Sequence, residues 1–173
     1  MTRRGGVAAL LGALLVLAGC TTAPRQAPDL AGRLLVIVEA DDGAPARSLS
    51  TQFELRGDAR AGELQLTTML GTTAGQARWR PGRAELITGE GARGFADLDA
   101  LAHDLFGETL PLTALIDWLR GKPWPGAPQA PTVDGFEQLG WRIDLSRFAQ
   151  GWVLAARERA PAFSVRVKLD PSS

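Results

Sequence analysis

The chain has 173 residues, 45% hydrophobic and 22% charged, a composition that suits one globular domain with a modest core. Nineteen Lys and Arg balance nineteen Asp and Glu, and no basic stripe stands out along the chain, so nucleic acid is not an expected partner. With one Cys and one His, neither an internal disulfide nor a zinc site of the usual ligands can be assembled, and no metal or cofactor is expected.

In chain order, the first segment reads as a signal peptide over residues 1–19. Arg3 and Arg4 precede an apolar run from Val7 to Leu17 that is too short to span a bilayer, and small residues follow it. Leu17-Ala18-Gly19-Cys20 resembles a bacterial lipobox, which makes Cys20 the expected lipidated N-terminus; the alternative is a plain signal peptide with an incidental Cys20. Thr21 rather than Asp follows the Cys, and in the sorting pattern this resembles that choice points to the outer membrane. Residues 20–29, with two prolines and no apolar periodicity, form the tether, and a single domain is expected over residues 30–170.

Leu34 to Val38 and Leu49 to Arg56 read as a hairpin joined through Asp41-Asp42-Gly43. A second pair follows, with Leu64 and Leu66 on one strand and Ala77 and Trp79 on the other. Met69-Leu70-Gly71 forms the tip between them, where turn chemistry ordinarily keeps large hydrophobes out. Arg80-Pro81-Gly82 then turns the chain into a strand over Ala84 to Thr88, and the Gly-rich run from Gly89 to Gly94 reads as turn.

Asp97 is an N-cap signal before Leu98, Leu101, Leu105 and Phe106, whose spacings of three and four predict a helix ending at Gly107. His103 falls on its polar side, where a solvated surface role is the expectation. A second helix is boxed between Pro111 and Gly121-Lys122-Pro123, with Leu112, Leu115, Ile116 and Leu119 on one face. Four prolines between Lys122 and Pro131 predict a loop, in which Trp124 either packs back on the body or meets a partner. Strands return at Trp141 to Leu145, Trp152 to Ala156 and Phe163 to Leu169. In the last of these Phe163, Val165, Val167 and Leu169 oppose Ser164, Arg166 and Lys168, a one-sided sheet pattern.

Strands, two helices and strands again predict an α+β fold, an antiparallel sheet curled around the helices. Such a sheet can leave an apolar concavity. The residues expected to line it are Phe53, Leu55, Leu64, Leu66, Trp79, Leu115, Trp118 and Trp141, with the helix from Leu112 to Arg120 in its wall. The alternative is that these side chains pack fully on one another. No nucleophile elbow, metal-binding helix motif, P-loop or Cys-x-x-Cys occurs, and the acidic residues are scattered, so nothing nominates an enzyme.

Several short motifs then recur in a familiar order. Gly32 to Val36, Leu64 to Gly71 ending in Met-Leu-Gly-Thr, Gly107 with Leu110-Pro111-Leu112, Trp118-Leu119-Arg120-Gly121 with Pro123, Gln138-x-Gly140-Trp141, and the strand Val165 to Leu169 resemble LolB, the outer-membrane lipoprotein receptor family. The resemblance implies an open, strongly curved antiparallel half-barrel holding short helices in its concavity. It also implies a lipid-anchored protein facing the periplasm, which accepts acylated lipoproteins from a periplasmic carrier of the LolA kind and inserts them into the outer membrane. A monomer is expected. Two features depart from the family pattern: only the short tether precedes Leu30 where a helical segment is usual, and Met69 replaces a proline in the loop. The matching loop of the family is a protruding apolar one tied to membrane targeting, which gives Met69, Leu70 and Gly71 an implied role at the membrane or on cargo. The competing expectation is a scaffolding envelope lipoprotein of similar fold with a filled core; a periplasmic hydrolase is a weaker third.

Overall fold

A computed structural model describes residues 27–40, 45–106 and 110–171. The signal peptide, Cys20, most of the tether, the turn at Asp41-Asp42-Gly43 and the stop at Gly107 lie outside the described residues. From Leu30 onward the chain lays down a meander of six strands: β1 (Leu30–Val38), β2 (Arg47–Gly57), β3 (Gly62–Thr67), β4 (Thr73–Arg80), β5 (Arg83–Thr88) and β6 (Gly91–Phe95). Two helices follow, α1 (Leu98–Phe106) and α2 (Leu112–Trp118). A second meander then runs back through β7 (Gln129–Thr132), β8 (Gly135–Gln138), β9 (Trp141–Asp144), β10 (Trp152–Arg157) and β11 (Phe163–Leu169), with a 3₁₀ turn at Phe148–Gln150 between β9 and β10.

All pairings are antiparallel, and β11 closes on β1 to give one sheet of eleven strands in the order β6-β5-β4-β3-β2-β1-β11-β10-β9-β8-β7. The first strand therefore ends at the centre of the sheet, and the two helices, inserted between the edge strands β6 and β7, keep those edges apart. The result is an open α+β half-barrel rather than a closed one. A register shift between Leu66 and Thr67 adds local twist at the end of β3.

Period-2 alternation decides which face is filled. Val36 and Val38 of β1, Phe53 and Leu55 of β2, Ala77 and Trp79 of β4, and Val165 and Val167 of β11 are buried, and each is flanked by outward neighbours. The helices complete this core from inside the curve: α1 buries Leu98, Leu101 and Ala102, and α2 buries five of its seven residues. Burying a leucine or isoleucine fully is worth about 1.5–3 kcal/mol, so α2, too short to hold itself together in water, is held by its packing.

Several details differ from the sequence-based expectation, among them β8, a strand ahead of the expected return at Trp141. β1 begins at Leu30 rather than Leu34, and Asp29 already joins it through its N–H to the Leu55 carbonyl at 2.9 Å and its carboxylate to the Gly57 N–H at 2.6 Å. Gly91–Phe95 is a strand and not a turn, because an edge strand needs a backbone partner on one side only. Gln129–Thr132, expected as loop, is the opposite edge strand, and an edge is where Pro131 is tolerated. Finally, α2 stops at Trp118 rather than Arg120: the last turn tightens, with Arg120 N–H to the Asp117 carbonyl at 2.9 Å, and Gly121 at φ +72° ends it.

Candidate functional site: an apolar chamber under two helices

The inward faces of β1 to β5 and the undersides of both helices enclose a cavity of about 90 Å³. Phe53, Leu55, Leu64, Leu66, Trp79 and Leu115 all line it. The sequence reading did not include Leu34, Val36 and Leu49 from the first hairpin, Gly75, Ala77 and Leu86 from the next strands, or the run of Leu98, Leu101, Leu105 and Phe106 along α1. The alternation of the strands and the helical spacing of α1 carried the signal for most of these. Gly75 had none, since a glycine shows its value only once the chain around it is placed.

Every lining side chain is apolar apart from the indole N–H of Trp79, and that group is turned away to the Asp58 carbonyl at 2.8 Å. Trp79 fits because Gly62 stands opposite it in the ladder: a Cβ there would lie 2.6 Å from the indole ring. Arg120 seals this end of the chamber by bonding the Ile116 carbonyl of α2 at 2.9 Å and the Gly57 carbonyl of the β2–β3 turn at 2.6 Å. Nearby, Asp58 is held below the usual carboxylate range by the backbone N–H groups of Arg60 and Ala61. A cavity of this volume has room for about three water molecules, but with no polar partner inside it stays dry.

At the other end the chamber adjoins a larger hollow of about 570 Å³, with which it shares Val36, Leu49, Leu66, Gly75, Leu86, Leu105 and Phe106. Arg47, Ser48 and Thr88 give this mouth its polar rim, and Leu105 stands 40% exposed in it. The mouth lies within the size range of small-ligand sites, whereas the inner chamber is below it. The mouth therefore has the room a bound small molecule needs, and the inner chamber as it stands does not. The helices are joined to each other by Asp99, whose carboxylate accepts the Thr113 N–H of the first turn of α2 at 3.2 Å. Burial raises the pKa of Asp99 above the ordinary carboxylate value, against the lowering effect of that hydrogen bond. α1 is pinned to β6 by an Arg93–Asp104 ion pair at 2.7 Å, which is solvent-exposed and worth at most about 1 kcal/mol.

Trp118 and Trp141 take no part in lining the chamber. Trp141 packs between Trp118 and Phe163 with ring centroids 6.1 and 5.4 Å apart, and Phe163 in turn meets the chamber-lining Phe106 at 6.0 Å. The cause is Gln138, which is 2% exposed and saturated: its carbonyl oxygen accepts Trp118 Nε1–H at 2.8 Å and Trp124 N–H at 2.9 Å, and its amide donates to the Trp124 and Ala127 carbonyls at 2.8 and 2.7 Å. This holds α2 and the proline-rich loop against β8, so Trp124 packs back on the body. His103 is exposed and outside the site, as its place on the helix implied.

The remaining candidates form the β3–β4 tip. Thr68 and Thr72 close it through Thr68 N–H to the Thr72 carbonyl at 2.8 Å and a hydroxyl–hydroxyl contact at 2.7 Å, while Gly71 N–H returns to the Thr68 carbonyl at 2.9 Å. Gly71 has φ +84°, which favours glycine. On this braced turn Leu70 is 93% exposed and Met69 58%, so the tip is not folded into the core. It stands at the same end of the sheet as the mouth, since β3 runs toward the Arg47 end of β2. Among the described residues no cluster of His, Cys, Asp and Glu is arranged to hold a metal, and no helix is long and apolar enough to cross a membrane.

The class defined by this fold and site is a half-open antiparallel barrel with an apolar chamber roofed by two short helices. The family model described as Outer membrane lipoprotein LolB matches residues 29–170, and the chain belongs to that family. Similar relatives include Outer-membrane lipoprotein LolB of Bordetella pertussis, 36% identical with 90% of this chain and 86% of the relative covered, and that of Bordetella petrii, 34% identical with 84% and 79% covered. The LolB of Chromobacterium violaceum is 31% identical, with 81% of this chain and 82% of the relative covered.

Proposed function

We propose that this protein is an outer-membrane receptor that accepts acylated lipoproteins from a soluble periplasmic carrier and inserts them into the membrane to which it is itself anchored through Cys20. The observation that carries the reading is the apolar chamber with its wider mouth, in a chain of the LolB family. In this reading the work needs no catalysis: an acyl chain moves between apolar sites, gaining about 0.8 kcal/mol for each CH₂ it buries, and no bond is made or broken. The direction of transfer follows from which partner buries more of the chain. The exposed Leu70, braced at the mouth end, touches the membrane or the cargo during release.

An environment-sensitive fatty-acid probe tests the chamber: it is expected to brighten with the protein and to be displaced by an acylated peptide. A probe that does neither favours the scaffold with a filled core. Native mass spectrometry after mixing with carrier and acylated lipoprotein should find the cargo transferred. Leu70→Glu is expected to change stability by no more than about 0.5 kcal/mol, because the side chain makes few contacts, while insertion of cargo into liposomes falls. A variant that melts far below the parent would return Leu70 to the core, and unchanged insertion would remove the tip's role. Cys20→Ala is expected to leave unprocessed or soluble protein, and fatty-acid labelling that persists in it would refute the anchor.

A further inference from the structure

The balanced net charge conceals an uneven surface. On the convex face, the outward positions of three central strands come into register: Arg33 of β1 pairs with Lys168 of β11, which pairs with Trp152 of β10. In the next row Leu35 pairs with Arg166, and Arg166 with Leu154. Arg147 reaches in from the neighbouring turn, its guanidinium 5.6 Å from the Trp152 ring centre, and Lys168 Nζ stands at the same 5.6 Å. Arg33, Arg147 and the Arg166–Lys168 pair are far apart in sequence, which is why no stripe was legible, and none of the four makes an ion pair among the described residues, although Lys168 Nζ donates to the Gln150 carbonyl. Two carboxylates stand near them: Asp144, which accepts the Ser146 N–H at 2.8 Å, lines the same basin as Arg147 and Arg166, and Asp170 lies two residues beyond Lys168, so the cations outnumber them. Between Arg147, Trp152 and Arg166, with Asp144 and Ser146 on its wall, lies a shallow basin of about 230 Å³.

The position of this patch says what it meets. Trp152 is 37% exposed between Arg147 and Lys168, and an amphipathic ring beside cations is the combination that settles at a membrane–water boundary. The patch also lies at the end of the sheet where the tether enters: Leu30 opens β1, and Asp170 N–H bonds the Ala31 carbonyl at 2.9 Å beside Lys168. A tether from Cys20 to Asp29 spans at most about 30 Å when extended, so an anchored body keeps this end close to the lipid surface. The mouth and Leu70 stand at the opposite end of the strands.

We infer that the Arg33–Arg147–Arg166–Lys168 patch around Trp152 is a docking surface for anionic phospholipid headgroups, which rests the anchored body on the membrane with its mouth turned toward the periplasm. The inference rests on the anchored-receptor reading and adds a resting orientation to it: the patch holds the mouth out to receive cargo, and the body must tip over for Leu70 to reach the bilayer.

The test uses the full lipidated chain reconstituted in vesicles, with a spin label on the lipid headgroups. Trp152 quenching is read as the difference between the parent and Trp152→Phe. Quenching is expected in vesicles containing phosphatidylglycerol, and it should weaken in pure phosphatidylcholine and at high salt. In Arg147→Gln and Arg166→Gln the resting contact should fall roughly fivefold for each cation removed, while Arg166→Lys retains it. Melting curves equal to the parent's check that these exposed substitutions leave the fold intact. Quenching that ignores lipid charge, or that survives in the double Gln variant, overturns the inference. So does relief by soluble glycerol phosphate at constant ionic strength, which would make the basin a small phosphate-ester site. Loss of carrier binding in the double variant with quenching unchanged would assign the patch to a protein partner instead. Failure of the anchor is separately visible, as protein that does not remain with the vesicles at all.

Discussion

The two arms of the sheet meet the same pair of helices with opposite results. On the β1–β5 side the inward positions carry leucines interleaved with Gly75, Ala77 and Ala84, and a chamber remains under the roof. On the β8–β11 side they carry Phe136, Trp141 and Phe163, all buried, and Trp141 packs its ring against both Trp118 and Phe163. Gln138 enforces the difference by fixing α2 through the Trp118 indole, so the helix leans on the filled arm and only spans the hollow one. On the reading proposed above, the aromatic arm is the rigid support and the hollow arm the binding site. The open space here comes from small residues on one side and from the aromatic packing that holds the roof up on the other.

The strongest way to break this division is Trp141→Ala. Truncating a buried tryptophan costs about 3–5 kcal/mol, and the melting temperature should fall by roughly 10 °C. If the arms have separate roles, fatty-acid probe affinity measured well below the melt stays near that of the parent; a large loss of affinity in a folded variant would mean that the support and the chamber are one unit. Gly75→Val attacks the other side. Gly75 lines both the chamber and its mouth, and the nearest atoms to a new Cβ, at 3.5–3.7 Å, are in ordinary contact. Valine suits a strand better than glycine, so stability should change by less than about 1 kcal/mol. Its methyls occupy the passage, and displacement of about two methylenes of ligand should weaken the probe about tenfold. Unchanged affinity would show that acyl chains do not pass this point.

Much of this arrangement was legible in the sequence. The alternation Phe163-x-Val165-x-Val167 located an inward face, the breakers around Leu112 to Leu119 located α2, and hydrophobes at Met69 and Leu70 in a turn marked a tip that is indeed exposed. What was not legible depended on partners distant in sequence. Gly91–Phe95 and Gln129–Thr132 have no apolar alternation, because edge strands are held by backbone hydrogen bonds rather than by burial. Hydrophobic pattern also identifies inward residues without saying whether they face a void or one another. Trp118 and Trp141 have the same apolar signature as Trp79, yet only Trp79 lines the chamber. Their fate was decided by Gln138, a polar residue whose four hydrogen bonds reach an indole in α2 and the backbone of a proline-rich loop.

The smallest expected effect concerns the roof of the hollow arm, at the Asp99–Thr113 bond between the helices. Burial raises the pKa of Asp99, so the folded state binds this proton more tightly than the unfolded chain does. The stability it contributes is therefore fully present below the unfolded value, near 3.9, and is lost as pH rises through the folded value. At neutral pH the fold carries a charge that burial disfavours, although the positive N-terminal end of α2 partly offsets that cost. Asp99→Asn keeps an oxygen to accept the Thr113 N–H and removes the charge. Asp99 remains half-exposed, so the gain at pH 7 should be under about 1 kcal/mol, or one to three degrees in melting temperature. Melting curves from pH 4 to pH 8 should find the variant and the parent closest at the acid end and diverging as pH rises. A firmer joint between α1 and α2 also makes the chamber harder to open, so the fatty-acid probe should enter the variant more slowly at pH 7. A variant that melts below the parent at pH 7 would mean that the carboxylate charge is needed at the start of α2, and the roof of the hollow arm would then be held by electrostatics rather than loosened by them.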